Sequence, residues 1–138
     1  LFLSDLNKSR RVNEADLFYR MTHDFFIMDS TNRKLIKSLG EGTPIFTENG
    51  GPYDAFDVDD YLAHFEILKN YMDEGIFSEK KVYTSYSYYI VQAYQNKEVW
   101  DYIIWLRNET KDSSYYRNFE HLANKFIEAN KSQKYPSH

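Results

Sequence analysis

Large aromatic side chains on a helical period constrain this chain more than anything else in it. It carries 13 Tyr, 10 Phe and 2 Trp in 138 residues, and most fall on one face of successive amphipathic segments. Rings recurring at about 3.6-residue spacing predict helices closed around a bulky core. The expected fold class is all-α, a compact bundle of five or six helices with one long Gly/Pro-containing loop. No alternating pair of strand-like runs is evident.

At this length the chain reads as a single helical domain over residues 1–138. It is long enough to bury a core without metal or disulfide staples. It has no cysteine, which removes disulfides, thiolate metal sites and a cysteine nucleophile. The net charge of −4 disfavours a dedicated nucleic-acid binder, which usually carries a basic surplus. No run reaches the ~18 apolar residues of a membrane span. The opening Leu1-Phe2-Leu3, followed by Lys8, Arg10 and Arg11, has two readings. It is an ordinary helix start, or residues 1–7 are the stub of an upstream transmembrane segment with its basic cytoplasmic flank.

The first helix is expected from Lys8 to Met28. Leu17, Phe18, Met21, Phe25 and Met28 form its stripe, widened by Ala15, Tyr19 and Phe26. Asp29 or Ser30 then caps a short helix from Thr31 to Leu39 that stops at Gly40. Gly40 to Phe56, with Pro44, Asn49-Gly50-Gly51 and Pro52, reads as an ordered surface loop. The third helix is expected from Asp57 to just before Gly75. Val58, Tyr61, Leu62, Phe65, Leu68 and Met72 mark its main face, extended by His64, Ile67 and Tyr71. The fourth spans Glu79 to Gln95 with Val82, Tyr86, Tyr89, Ile90 and Ala93 inward and Tyr88 pointing away. Asn96 caps a fifth, Lys97 to Asn108, with Val99, Ile103 and Leu106 inward and Trp105 opposite. The last, Tyr115 to Ala129, groups Tyr115, Phe119, Leu122 and Phe126; residues 130–138 read as a frayed polar tail.

Motifs for chemistry are few. The acidic run Asp54 to Asp60 fails the calcium-loop pattern, because Leu62 and Leu68 stand where Gly and Glu are needed counting from Asp57. A helix N-terminus explains it better, with an Asp cap and Asp59 and Asp60 facing the positive end of the dipole. His23, His64, His121 and His138 share no paired-ligand spacing. Phosphate-cradle and nucleophile-elbow patterns are missing too. The reading is therefore no catalytic residue, no metal site and no cofactor. Tyr88 and Trp105 are the candidate partner-binding residues, because each points away from its helix's apolar stripe. Trp buries much area with few torsions, which suits it to binding surfaces.

The order Arg10-Arg11-Val12-Asn13-Glu14-Ala15, Tyr61-Leu62-Ala63-His64-Phe65-Glu66, Gly75-Ile76-Phe77, Val82-Tyr83 and Tyr116-Arg117-Asn118-Phe119-Glu120 resembles an uncharacterised bacterial family of small all-helical domains. The resemblance covers most of the chain and rests on loose, mainly structural motifs. It implies a domain set behind one N-terminal transmembrane helix and offers no catalytic residues to carry over. The Gly/Pro loop is more elaborate than the family pattern.

Together these features point to a non-catalytic helical interaction or signalling module, the cytoplasmic part of a membrane-tethered protein. The ligand of its binding face is unknown. A protein partner, a second copy or a small-molecule signal are its expected partners, not nucleic acid. A small-ligand sensor with a Tyr-lined interhelical pocket is the second reading. An enzyme using His and carboxylates from separate helices is the third.

Overall fold

The computed structural model describes residues 2–136; Leu1 of the opening stub, and Ser137 and His138 of the tail, lie outside the described residues. Six α-helices succeed one another, α1 (Phe2–His23), α2 (Ser30–Glu41), α3 (Ala55–Asp73), α4 (Glu79–Tyr94), α5 (Lys97–Thr110) and α6 (Arg117–Lys131). The fold is all-α; among the described residues the only β-type pairing is an isolated bridge between Phe46 and Tyr53. No helix of the described residues is long and apolar enough to cross a membrane.

α4 is the central element, packed against α2, α3, α5 and α6, while α3 also packs on α2 and α6. Its inner residues Val82, Tyr86, Ile90 and Ala93 are fully buried. Phe65 of α3 stands at the middle of the core, stacked on Phe119 at 5.7 Å and flanked by Tyr61 at 5.1 Å and Phe25 at 5.4 Å. Edge-to-face and offset ring pairs of this kind add about 0.5–1.5 kcal/mol each beyond the area they bury.

The first helix differs most from its sequence reading. α1 ends at His23 and gives way to a π-helical turn, Asp24–Met28. The Asp29 amide donates to the Asp24 carbonyl five residues back, at 3.0 Å. The extra residue in that turn rotates the side chains beyond it away from the α1 stripe. Phe25 is buried, while Ile27 and Met28 face solvent, so Met28 is not on the buried stripe. Tyr19 is also exposed, and so is Ala15. From Leu3 to Asn13 every residue of α1 is exposed; this half of the helix stands clear of the body.

Asp29 caps α2 by accepting the Asn32 amide. The helix runs past Gly40 and ends at Gly42, whose φ of +70° is the left-handed turn that glycine tolerates. The loop after it lies on the surface but anchors three side chains inward. Ile45, Phe46 and Tyr53 are core residues, and Gly51 passes so close that a Cβ there would stand 2.3 Å from the Ile45 carbonyl oxygen. Asp54 begins α3 with a reciprocal capping box to Asp57, which fixes the helix start two residues before the sequence reading. Ile67 faces solvent rather than extending the α3 face. Phe77, in the α3–α4 connection, is buried against Phe18 at 5.0 Å.

α6 starts at Arg117, not Tyr115. Tyr116 sits at φ +57° before it, a conformation costing roughly 1 kcal/mol for a side chain with a Cβ. Tyr115 is 39% exposed and precedes α6 rather than joining its stripe. The tail is docked as far as Tyr135: Lys134 and Tyr135 both bond the Glu79 carboxylate, with Lys125 beside it. Burial alone would raise the Glu79 pKa, but these donors outweigh it and hold the carboxyl at about 2.

Candidate functional site

Trp105 and Tyr88 are 57% and 67% exposed, as their off-stripe positions on α5 and α4 predict. The two do not form one patch. Each lines its own concavity.

Around Trp105 the concavity measures about 430 Å³ and is walled by Phe46, Tyr102, Trp105, Glu48, Glu98 and Asp101. Four of these come from α5 at positions 98, 101, 102 and 105. That spacing repeats one helical face, so α5 supplies two carboxylates and two rings together. Trp105 lies roughly parallel to Tyr102, with centroids 6.2 Å apart, and Phe46 packs on Tyr102 at 5.2 Å. The Tyr102 hydroxyl donates to Asp59 Oδ1 at 2.9 Å, and the Tyr116 hydroxyl donates to the same oxygen. Burial, with the Asp59 charge added, pushes both phenols well above their ordinary pKa. Asp59 therefore anchors two tyrosines rather than serving the helix N-terminus.

Glu98 ties the loop to this wall. Its carboxylate accepts the Ile45 amide at 2.8 Å, the Phe46 amide at 3.2 Å and the Asn49 side-chain amide at 2.7 Å. All three donors are neutral, so the carboxylate charge remains. Asp101 is paired with Lys97 one turn back, at 2.5 Å. The sequence reading singled out Trp105 but missed Glu48, Glu98, Asp101, Tyr102, Phe46 and Asp59. The face shared by 98, 101, 102 and 105 was the available signal; the loop residues had none, because their partners lie some fifty positions away.

Tyr88 lines a longer groove of about 730 Å³ between α4 and α6, with Tyr83, Gln92, Asn96, Phe126 and Asn130. Gln92 donates to the Tyr88 hydroxyl at 3.4 Å, while its buried Oε1 has no protein partner.

His64 is the most enclosed of the described histidines. Its Nε2 and Thr22 Oγ1 both lie 2.9 Å from the Tyr86 hydroxyl, with the Phe25 ring 4.3 Å from the imidazole. Burial lowers the His64 pKa to about 4 and pushes Tyr86 up to about 12. A neutral imidazole bonded to a phenol satisfies a polar core; its ring has no carboxylate to orient it as a base. His23 stacks on Tyr19 at 5.7 Å and His121 faces solvent.

Among the described residues, six helices without a sheet, with aromatic-lined concavities, define a small all-α domain. More narrowly, the chain belongs to the family DUF4760, a domain of unknown function whose model matches residues 6–126. No curated protein and no solved structure matches it.

Proposed function

We propose that this chain is a non-catalytic interaction or signalling module, and that Trp105 marks its binding face. One observation carries the reading. α5 buries Val99 and Ile103 in the core, yet presents Trp105 more than half exposed on the opposite side, in a concave surface. A Trp held there, with its neighbour rings fixed from behind, matches the anchor residue of a binding surface.

Trp105→Ala should leave helicity intact and change stability by less than about 1 kcal/mol, as for an exposed site. It should weaken association, read as self-association by sedimentation or as loss of a co-purifying partner. A mutant that melts several degrees earlier, from a protein that stays monomeric and binds the same partners, overturns the reading.

The reading includes a tether at the inner face of a membrane. Its support is the free half of α1, which carries Lys8, Arg10 and Arg11 clear of the body; such residues are attracted to anionic headgroups. Flotation with anionic but not neutral vesicles, lost when the three are replaced by Gln, tests that element. The α4–α6 groove favours a second reading as a small-ligand sensor, since Gln92 Oε1 lacks a protein donor there. A metabolite seated in it should raise the melting temperature with its concentration, and Gln92→Leu should abolish that rise.

A further inference from the structure

We propose that the Trp105 concavity is a receptor for an organic cation, the alkylammonium or guanidinium head group of a small molecule or of a partner's side chain. This rests on the reading of the Trp105 face as a binding surface and names the chemistry it takes.

The walls supply the two things such a head group needs. Trp105 supplies an exposed ring and Tyr102 a partly exposed one, with Phe46 packed behind Tyr102, and a cation over an aromatic face is attracted by the ring quadrupole, most strongly for Trp. Tyr102 is improved for this role from behind. Its hydroxyl donates to the Asp59 carboxylate, and a phenol so bonded pushes electron density into its ring. The second need is net negative charge, given by Glu48 and Glu98 on the same wall, since the Asp101 charge is met by Lys97. Of the lysines and arginines, only Lys97 is paired into this wall, and its ammonium is held on Asp101 at 2.5 Å. The charge of Glu98 is not cancelled, because its three bonds come from neutral donors.

Chemistry separates this from a metal site. Both Glu98 oxygens already accept N–H groups, and Asp101 is engaged by Lys97. A hard divalent ion needs several unengaged oxygens in one shell. A large, weakly hydrated organic cation needs none of them as a direct ligand; it needs π faces and the field of nearby carboxylates. The volume of about 430 Å³ lies within the range of small-molecule sites.

The test is a titration read at the Trp105 indole N–H resonance, assigned by its loss in Trp105→Phe. Choline chloride, N-acetylargininamide and the uncharged carbon isostere of choline are compared at constant ionic strength. A saturable shift with at least one cation is expected, about tenfold tighter than for the isostere. Glu48 is exposed and its replacement leaves the fold alone, so Glu48→Gln should weaken cation binding about threefold. A short peptide bearing an arginine or trimethyllysine then separates the sources: tighter binding than the free head group assigns it to a partner chain, equal binding to a small molecule. No saturable shift with either cation, or equal affinity for the isostere, overturns the proposal. If Trp105→Ala still weakens association in that case, the binding face stands and only its cation specificity falls. If it does not, both fall.

Discussion

At the scale of single residues the core is held by ring packing around Phe65, which is 0% exposed. It touches rings from the π turn, α3 and α6 at once. Phe65→Ala should cost roughly 3–5 kcal/mol, the range for removing a buried aromatic; denaturant unfolding showing less than about 1 kcal/mol would contradict this assignment. His64 makes the core sensitive to acid. Its folded pKa of about 4 lies below the ordinary 6.5, so the unfolded chain takes the proton first. Its contribution is complete above pH 6.5 and is lost as pH falls towards 4, at no more than about 1.4 kcal/mol per pH unit. His64→Gln keeps a polar partner for Tyr86 and should flatten the dependence of melting temperature on pH in that window. An unchanged slope would mean that other groups set it. Glu79, with its folded pKa near 2, loses its contribution in a separate, more acidic range. The face assignments behind Phe65, Tyr86 and Tyr88 were legible because regular helices keep their period. Met28 was not, since one extra residue in the π turn turns the stripe away and no periodicity encodes it.

At the scale of elements, the helices and most caps were readable, while the loop and the start of α6 were not. The turn from Lys111 to Ser114 predicts a cap for α6, but the helix begins after an uncapped Tyr116. Small polar residues at Asp29, Ser78 and Asn96 each cap a helix by accepting an amide three residues on, which is local chemistry. The segment from Thr43 to Tyr53 is ordered instead by a distant carboxylate. Glu98 satisfies two backbone amides and one side-chain amide of this loop, and so presents Phe46 and Glu48 to the Trp105 concavity. In Glu98→Gln an NH2 group would replace one acceptor and face an amide donor. A loss of about 1–3 kcal/mol is expected for the group left unpaired. Hydrogen exchange at Ile45 and Phe46 should accelerate most, with α3 and α4 little changed. Protection kept at both amides would show that Gly51 and the Phe46–Tyr53 pairing hold the loop without the clamp. The α5 side of the candidate site was thus visible in the spacing of 98, 101, 102 and 105. The loop side arrives through contacts that sequence spacing cannot register.

At the scale of the molecule, the aromatic load has a cooperative consequence. Phe18 of α1, Phe25 of the π turn, Tyr61 and Phe65 of α3, Tyr86 of α4 and Phe119 of α6 form a connected set of ring contacts. None of these elements can lose its packing without exposing rings of another. Tertiary order and helix content should therefore vanish in one transition, with near-ultraviolet and far-ultraviolet circular dichroism giving the same midpoint. One departure is expected. Leu3 to Asn13 of α1 share none of this packing, and an unsupported helix of that length is marginal in water. A small fraction of the helical signal should melt earlier and without cooperativity. A chelator should leave the main midpoint unchanged, because among the described residues no three His, Asp or Glu side chains gather as ligands and the core closes on rings and aliphatic side chains. Near-ultraviolet signal lost well before the helix would show that the rings are not what couples the elements. A midpoint lowered by several degrees on chelation would mean that a bound ion shares that work.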